Sequence, residues 1–217
     1  AAGFDIGLII HGKADAAITD LTIRGAAQIG IAVDGASGIT IERVTVQDCP
    51  GAIVVRAAAD CSISNVILAN CRSGVSLIRS RECSLVNATL ANLEGTAIAV
   101  NGCENTAVFN NLIANASFGV NVGDGNKAVT IDHNVYICQF VGHMPGHPVR
   151  KKVESWSTLS GYDKHSLTIP LAFADAASGD LRPMSPMSWR PDRSTASDWG
   201  VNSLAGVKAP RTDIDGK

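Results

Sequence analysis

Arg56, Arg79 and Arg81 are among the side chains in this sequence best suited to hold an anion. A guanidinium fork meets a carboxylate or sulfate through two parallel hydrogen bonds, a geometry that a lysine ammonium lacks. Asn101 and Asp124 continue the same spacing, and His133 lies on a second polar line; all three add donors and acceptors for hydroxyl groups. Together they are candidate contacts for a ligand that carries carboxylates or sulfates. The same residues also fit a plain charged surface with local ion pairs, which is what most exposed arginines form.

Sulfur and imidazole offer less. Of the six cysteines, Cys49 and Cys71 are 22 residues apart, as are Cys61 and Cys83. No Cys-x-x-Cys or zinc-type Cys/His spacing occurs, so these pairs are expected as stacked buried thiols, with a disulfide between neighbouring repeats as the alternative. His143 and His147 share a loop with two prolines, which works against the helical spacing that chelation by that pair needs. The run Arg150-Lys151-Lys152 reads as a solvated loop.

The elements that must position these residues are written in a repeat. Leu8 and Ile10 recur as Ile31/Val33, Ile53/Val55, Val75/Leu77, Ile98/Val100 and Val120/Val122. A second pair runs Leu21/Ile23, Val44/Val46, Val66/Leu68 and Ala88/Leu90, continuing through Leu112 or Ile113 to Val135 and Tyr136. Single apolar positions recur at Ile18, Ile41, Ile63, Leu85, Val108 and Ile131. Nearly every step is 22 or 23 residues, and no helical stretch interrupts the alternation. A leucine-rich repeat of similar period needs a consensus that is missing. The pattern therefore predicts an all-β protein, a right-handed parallel β-helix of about five to six rungs. Rungs are expected over residues 1–141, and an irregular C-terminal loop, cap and tail over 142–217.

Polar columns follow from the same period. Asp48, Asn70, Asn92 and Asn115 share one register and are expected to form a structural ladder, because asparagine tolerates the left-handed backbone of a sharp bend. Asp20, Arg43, Asn65, Asn87, Asn110 and His133 mark a second bend. Outward positions of the strand that carries Thr45, Ile67, Thr89, Leu112 and Val135, with Gln47, Ala69, Ala91 and Ala114 beside them, become apolar toward the C-terminus. That stripe is expected to lie under the tail. The chain starts partway round a rung, so an upstream domain or a second copy is expected to cover the open N-terminal end.

A net charge of −2 and a pI near 6.2 give no field that recruits nucleic acid, and no apolar run is long enough to span a bilayer. The repeat resembles the pectate-lyase-like superfamily of right-handed parallel β-helix proteins. The stretch Trp156, Gly161-Tyr-Asp163-Lys-His165-Ser166, Pro170-Leu171-Ala172-Phe173, Gly179-Asp180-Leu181 and Ser185-Pro186 is similar to a C-terminal element of secreted bacterial members. That resemblance implies a secreted or cell-surface bacterial protein related to lyases, hydrolases or epimerases of acidic polysaccharides. VTIDHNVYI, from Val129 to Ile137, resembles the lyase stretch whose Asp binds calcium. Calcium takes about six to eight oxygens, and earlier repeats place Phe109, Val86, Ser64 and Glu42 at the position of Asp132. Asp132 is thus expected as a solvated turn residue and no cofactor is expected, calcium at Asp132 being the weak alternative. The Asn-Thr-Asp, Asp-Asp, Gly-His-Gly and Arg-Ile-Lys motifs of polygalacturonase-like hydrolases are missing. A binding or structural module is therefore the first reading, and an acidic-polysaccharide lyase or glycoside hydrolase the second.

Overall fold

The computed structural model describes residues 5–168, 172–175, 180–184 and 200–211. The chain is a parallel β-solenoid in which each coil stacks on the one before. Strands β1 (Ile6–Arg24) and β2 (Ile29–Gln47) each bend through a whole coil. The next coils break into β3 (Gly51–Arg56), β4 (Ala59–Ser64), β5 (Ile67–Ala69), β6 (Ser73–Ile78) and β7 (Ser84–Val86). They continue as β8 (Thr89–Asn101), β9 (Ala107–Phe109), β10 (Leu112–Val122), β11 (Thr130–Asp132), β12 (Val135–Ile137) and β13 (Phe140–His143). A helix, α1 (Val153–Ser160), and the short strand β14 (Leu167–Thr168) follow. Two small antiparallel pairs, β15 (Ala172–Asp175) with β16 (Asp180–Met184) and β17 (Ser203–Leu204) with β18 (Val207–Lys208), complete the described chain.

Every pairing within the solenoid is parallel, and the register matches the sequence period. Leu8 sits over Ile31, Ile53, Val75, Ile98 and Val120 in turn, and Ile18 over Ile41, Ile63, Leu85, Val108 and Ile131. These inward columns are sealed from Ile31 downward, where Ile31, Ile53, Ile63, Leu68, Leu77 and Leu90 are fully buried. Each such side chain contributes roughly 1.5–3 kcal/mol by leaving water. At the other end β1 pairs, among the described residues, with β2 alone, and Ile9 and Leu21 are exposed.

The corners are made by left-handed residues in columns. Asp48, Asn70, Asn92 and Asn115 have φ of 57°, 55°, 54° and 52°, and Asn92 Nδ2 donates to Asn70 Oδ1 and Asn115 Nδ2 to Asn92 Oδ1, both at 3.1 Å. Asp20, Arg43, Asn65, Asn87, Asn110 and His133 form a second column with φ between 51° and 58°. A stacked amide offers its neighbour a donor and an acceptor at once, so the ladder offsets part of the left-handed strain.

The series that starts at Leu21 and Ile23 departs from expectation near its end. The column below Leu21 and Val44 passes through Val66 and Ala88 and then reaches Asn111 and Asn134, while Ile113 and Tyr136 occupy the neighbouring inward column. Val135 pairs with Leu112 on the outward column, its place in the outward stripe, and so leaves the inward series that starts at Leu21. The solenoid interior therefore turns polar in its last coils.

The expected cover of the outward stripe is only partly visible. Ala69, Ala91 and Ala114 are buried there, while residues 201–209 of the tail lie on another face. Val201, Leu204, Val207 and Ala209 pack on Val86, Ala107 and Phe109, and Asn110 fastens them by bonding both the N–H and the C=O of Val201. The expected motif positions Pro170, Leu171, Gly179, Ser185 and Pro186 lie outside the described residues.

All six cysteines are free and five are buried. Burial pushes the Cys71 thiol up to about 11 and Cys138 up to about 12, so both stay protonated and unreactive near neutral pH. Alkylation under denaturing, non-reducing conditions is expected to label all six sulfurs. Protection of Cys61 and Cys83, or of Cys49 and Cys71, would show bridges between coils instead.

Candidate functional site

Two polar regions stand out on the described surface, at different corners of the coil. The first is the rim at the end of the strands that contain Ile53 and Val75. Asp34, Arg56, Ile78 and Asn101 stack there in register, and Ala59, Arg81, Glu104 and Lys127 form a column further on. Arg56, Arg79, Arg81, Asn101 and Asp124 are all exposed, and none of the three guanidinium groups is ion-paired among the described residues.

Backbone geometry explains how Arg79 and Asn101 reach outward. Arg79 occupies a left-handed corner with φ 48°, and the next coil places Gly102 below it. A Cβ at Gly102 would lie 3.3 Å from Arg79 Cγ, so the glycine makes room for the arginine stem. A Cβ at Gly123 would meet Asn101 Oδ1 at 2.7 Å, so Asn101 likewise rests over a glycine. These glycines leave a shallow floor flanked by guanidinium and amide groups. Charge on this rim is mixed, since Asp34 precedes Arg56 and Glu104 follows Arg81.

The second region joins the last coil to the cap. Asp132, expected as a solvated turn residue, has a side chain only 13% exposed. Its Oδ1 accepts the backbone N–H of His133 at 2.9 Å and of His165 at 2.7 Å, and its Oδ2 accepts His165 Nδ1 at 2.7 Å. Burial opposes ionisation, but these bonds outweigh it and hold the Asp132 carboxyl below its ordinary pKa. His133 lies here too, stacked on His165 with ring centroids 5.0 Å apart, so the structure does not bring it to the arginine rim. The neighbours of Asp132 are imidazoles and not the oxygens that calcium prefers.

Beneath this corner lies Asp163, 1% exposed. It accepts hydrogen bonds from Asn134 Nδ2 at 3.2 Å, Tyr136 OH at 3.0 Å, Trp156 Nε1 at 2.9 Å and Ser166 Oγ at 2.5 Å. Trp156 is fully buried because Gly142 gives it a seat; a Cβ there would lie 2.2 Å from the indole. Asn111 and Asn134 extend the network upward through the interior, with Asn111 Nδ2 donating to Asn134 Oδ1 at 3.0 Å. Burial raises the Asp163 pKa above its usual value, and the bonds from Ser166, Asn134, Trp156 and Tyr136 offset only part of that. Tyr136 is raised as well, by burial and then by the nearby Asp163 charge. A group this enclosed has no approach for substrate, so Asp163 is a fastener between solenoid and cap.

Spacing alone could have revealed Asn111 and Asn134, since 22–23-residue steps from Val66 and Ala88 lead to them. The meeting of Asp132 with His165 spans 33 residues and crosses the aperiodic loop, so the repeat carries no signal for it.

Residues 6–143 match the family described as right handed beta helix region. The chain belongs to this family. No curated protein sequence matches it. Among solved structures, the periplasmic alginate epimerase AlgG superposes with a TM-score of 0.59 at 18% identity, over 68% of this chain and 39% of that one. The chain thus spans well under half of AlgG, and at this identity the likeness concerns the fold. A fragment of the fluoroquinolone resistance protein QnrB1 covers 66% of this chain and 92% of its own at 8% identity, with a TM-score of 0.16 that carries no weight. Among the described residues, no helix is long and apolar enough to cross a membrane.

Removing the Asp163 carboxylate strands four buried donors, each at roughly 1–3 kcal/mol. Asp163→Ala is therefore expected to lose at least about 3 kcal/mol in urea unfolding. The sign with pH follows from the raised native pKa: the contribution of Asp163 is full below its unfolded value and is lost as pH rises through the native value. Measured from about pH 4 upward, the stability of wild type relative to Asp163→Asn should fall; a difference constant with pH would contradict a buried, titrating Asp163.

Proposed function

We propose that this chain is a β-helix module that binds an anionic polysaccharide along the rim carrying Arg56, Arg79, Arg81 and Asn101, without transforming it. One observation carries the reading: three exposed guanidinium groups, unpaired among the described residues, stand on adjacent coils beside a floor of Gly102 and Gly123. Parallel strands repeat every 4.7–4.9 Å or so, and a uronate chain lying along the coils would meet a new donor at each. Arginine suits carboxylates because its fork is planar and weakly hydrated. The fold likeness to an alginate epimerase supports this class of ligand, and its periplasmic setting supports an extracytoplasmic location. Binding is favoured over catalysis because Asp163, the one carboxyl pushed upward by burial among the described residues, is closed to solvent.

The open edge of β1, with Ile9 exposed beside it, fits a further coil supplied by an upstream unit or a second copy. Either arrangement would extend the same rim.

Titration against alginate, polygalacturonate and a neutral glucan, followed by calorimetry at several salt concentrations, tests the proposal. Wild type is expected to bind the two polyuronates and not the glucan, with affinity that weakens as salt rises. Arg56→Ala/Arg79→Ala should weaken binding and flatten the salt dependence; an unchanged affinity would remove this rim. Unsaturated products or new reducing ends from the same polymers would establish the lyase or hydrolase reading in its place.

A further inference from the structure

We infer that Asp132, His133 and His165 form a binding site for a zinc-class divalent cation that staples the last coil to the cap. The site lies at a corner apart from the arginine rim and does not depend on the glycan reading.

The carboxylate of Asp132 is oriented before any ion arrives. Two backbone N–H groups hold Oδ1, which leaves Oδ2 to face the imidazoles. His165 Nδ1 is 2.7 Å from Oδ2 and His133 Nδ1 is 3.8 Å from it. His133 Nδ1 is buried and has no hydrogen-bond partner among the described residues. A buried imidazole nitrogen without a partner loses its hydration and gains nothing in return. Binding a cation would resolve that deficit. One ligand atom from each residue lies within 4.8 Å of the others.

The distances suit a small tetrahedral ion. Zinc binds nitrogen and oxygen at about 2.0–2.2 Å, which places tetrahedral ligands about 3.3 Å apart. The 2.7 Å and 3.8 Å separations lie on either side of that value, so small side-chain rotations suffice. In the apo site the carboxylate can only accept, so the bonded proton sits on His165 Nδ1. On metal binding that proton leaves for solvent and the nitrogen lone pair goes to the cation. Two imidazoles with one carboxylate form a set for borderline transition metals, and one coordination position remains for water. His165 is 66% exposed, which provides a route of entry.

The sequence departs from its own repeat at this corner. The coils above place Glu42-Arg43, Ser64-Asn65, Val86-Asn87 and Phe109-Asn110 where the last has Asp132-His133. Asparagine satisfies the left-handed turn in three of those coils, so the bend itself does not call for a histidine. His165, from the cap, is fixed between Asp163 and Ser166, both buried in the network below.

Zinc chloride titrated by calorimetry into the chelator-treated protein tests the inference, with calcium chloride as control. One zinc per chain, proton release seen as dependence on buffer ionisation heat, a rise in Tm with zinc and no effect of calcium are expected. His133→Asn keeps the residue type of the coils above, and His165→Ala removes an exposed side chain, so both should fold, and the effect of zinc is read against each variant's own metal-free Tm. A direct ligand is worth at least the roughly tenfold that ligand-supporting residues contribute, so each variant should weaken zinc binding by that much or more and abolish the Tm rise. Absence of zinc binding, or zinc binding unaltered in both variants or lost only on changing His143 and His147, would overturn the site.

Discussion

The structure depends on one constraint, the vertical register of backbone hydrogen bonds between coils. Each coil must return to the same place after 22 or 23 residues, which it does by turning sharply at fixed positions. Residues in the left-handed region make those turns, and they fall in columns because the coils are in register. Where asparagine fills a column, its amide joins neighbours above and below, so the turn and the stack reinforce each other. Backbone groups that open strands would leave free are thereby satisfied along most of the solenoid.

Once the register is set, the chemistry of each column is free to vary coil by coil. On the rim this freedom yields Arg79 over Gly102 and Asn101 over Gly123. In the interior it yields a change from Val66 and Ala88 to Asn111 and Asn134, which carries the core into the polar network around Asp163. That change solves a boundary problem. A solenoid that ended on apolar side chains would expose them, whereas one that ends on amides can bond to a cap. The buried carboxylate is costly alone, and four donors make it tolerable. A helix short enough to seat Trp156 against Gly142 then closes the end.

Much of this was legible in the sequence because the period is nearly exact in its hydrophobic columns. Ile18 through Ile131 and Leu8 through Val120 align with no structural knowledge, and those columns define the coils. The reading failed where the period still held but the residue type changed: Asn111 and Asn134 look like turn residues, so their inward column is hidden, and Val135 beside them falls in both an inward and an outward series. It also failed across the aperiodic segment. Nothing in residue spacing says that His165 returns to Asp132, because that contact is set by how α1 and its following turn pack on the last coil. Sequence identified Arg56, Arg79 and Arg81 as candidates, but the supporting glycines at 102 and 123 gained their meaning only from side-chain geometry.

The claim that matters most is that the arginine rim receives carboxylates. A crystal structure of the protein with a short oligouronate tests it most directly. The account predicts sugar density across adjacent coils, with uronate carboxylates within hydrogen-bonding distance of at least two of Arg56, Arg79 and Arg81 and a hydroxyl near Asn101. An oligosaccharide bound on another face, with these guanidinium groups free, would contradict it.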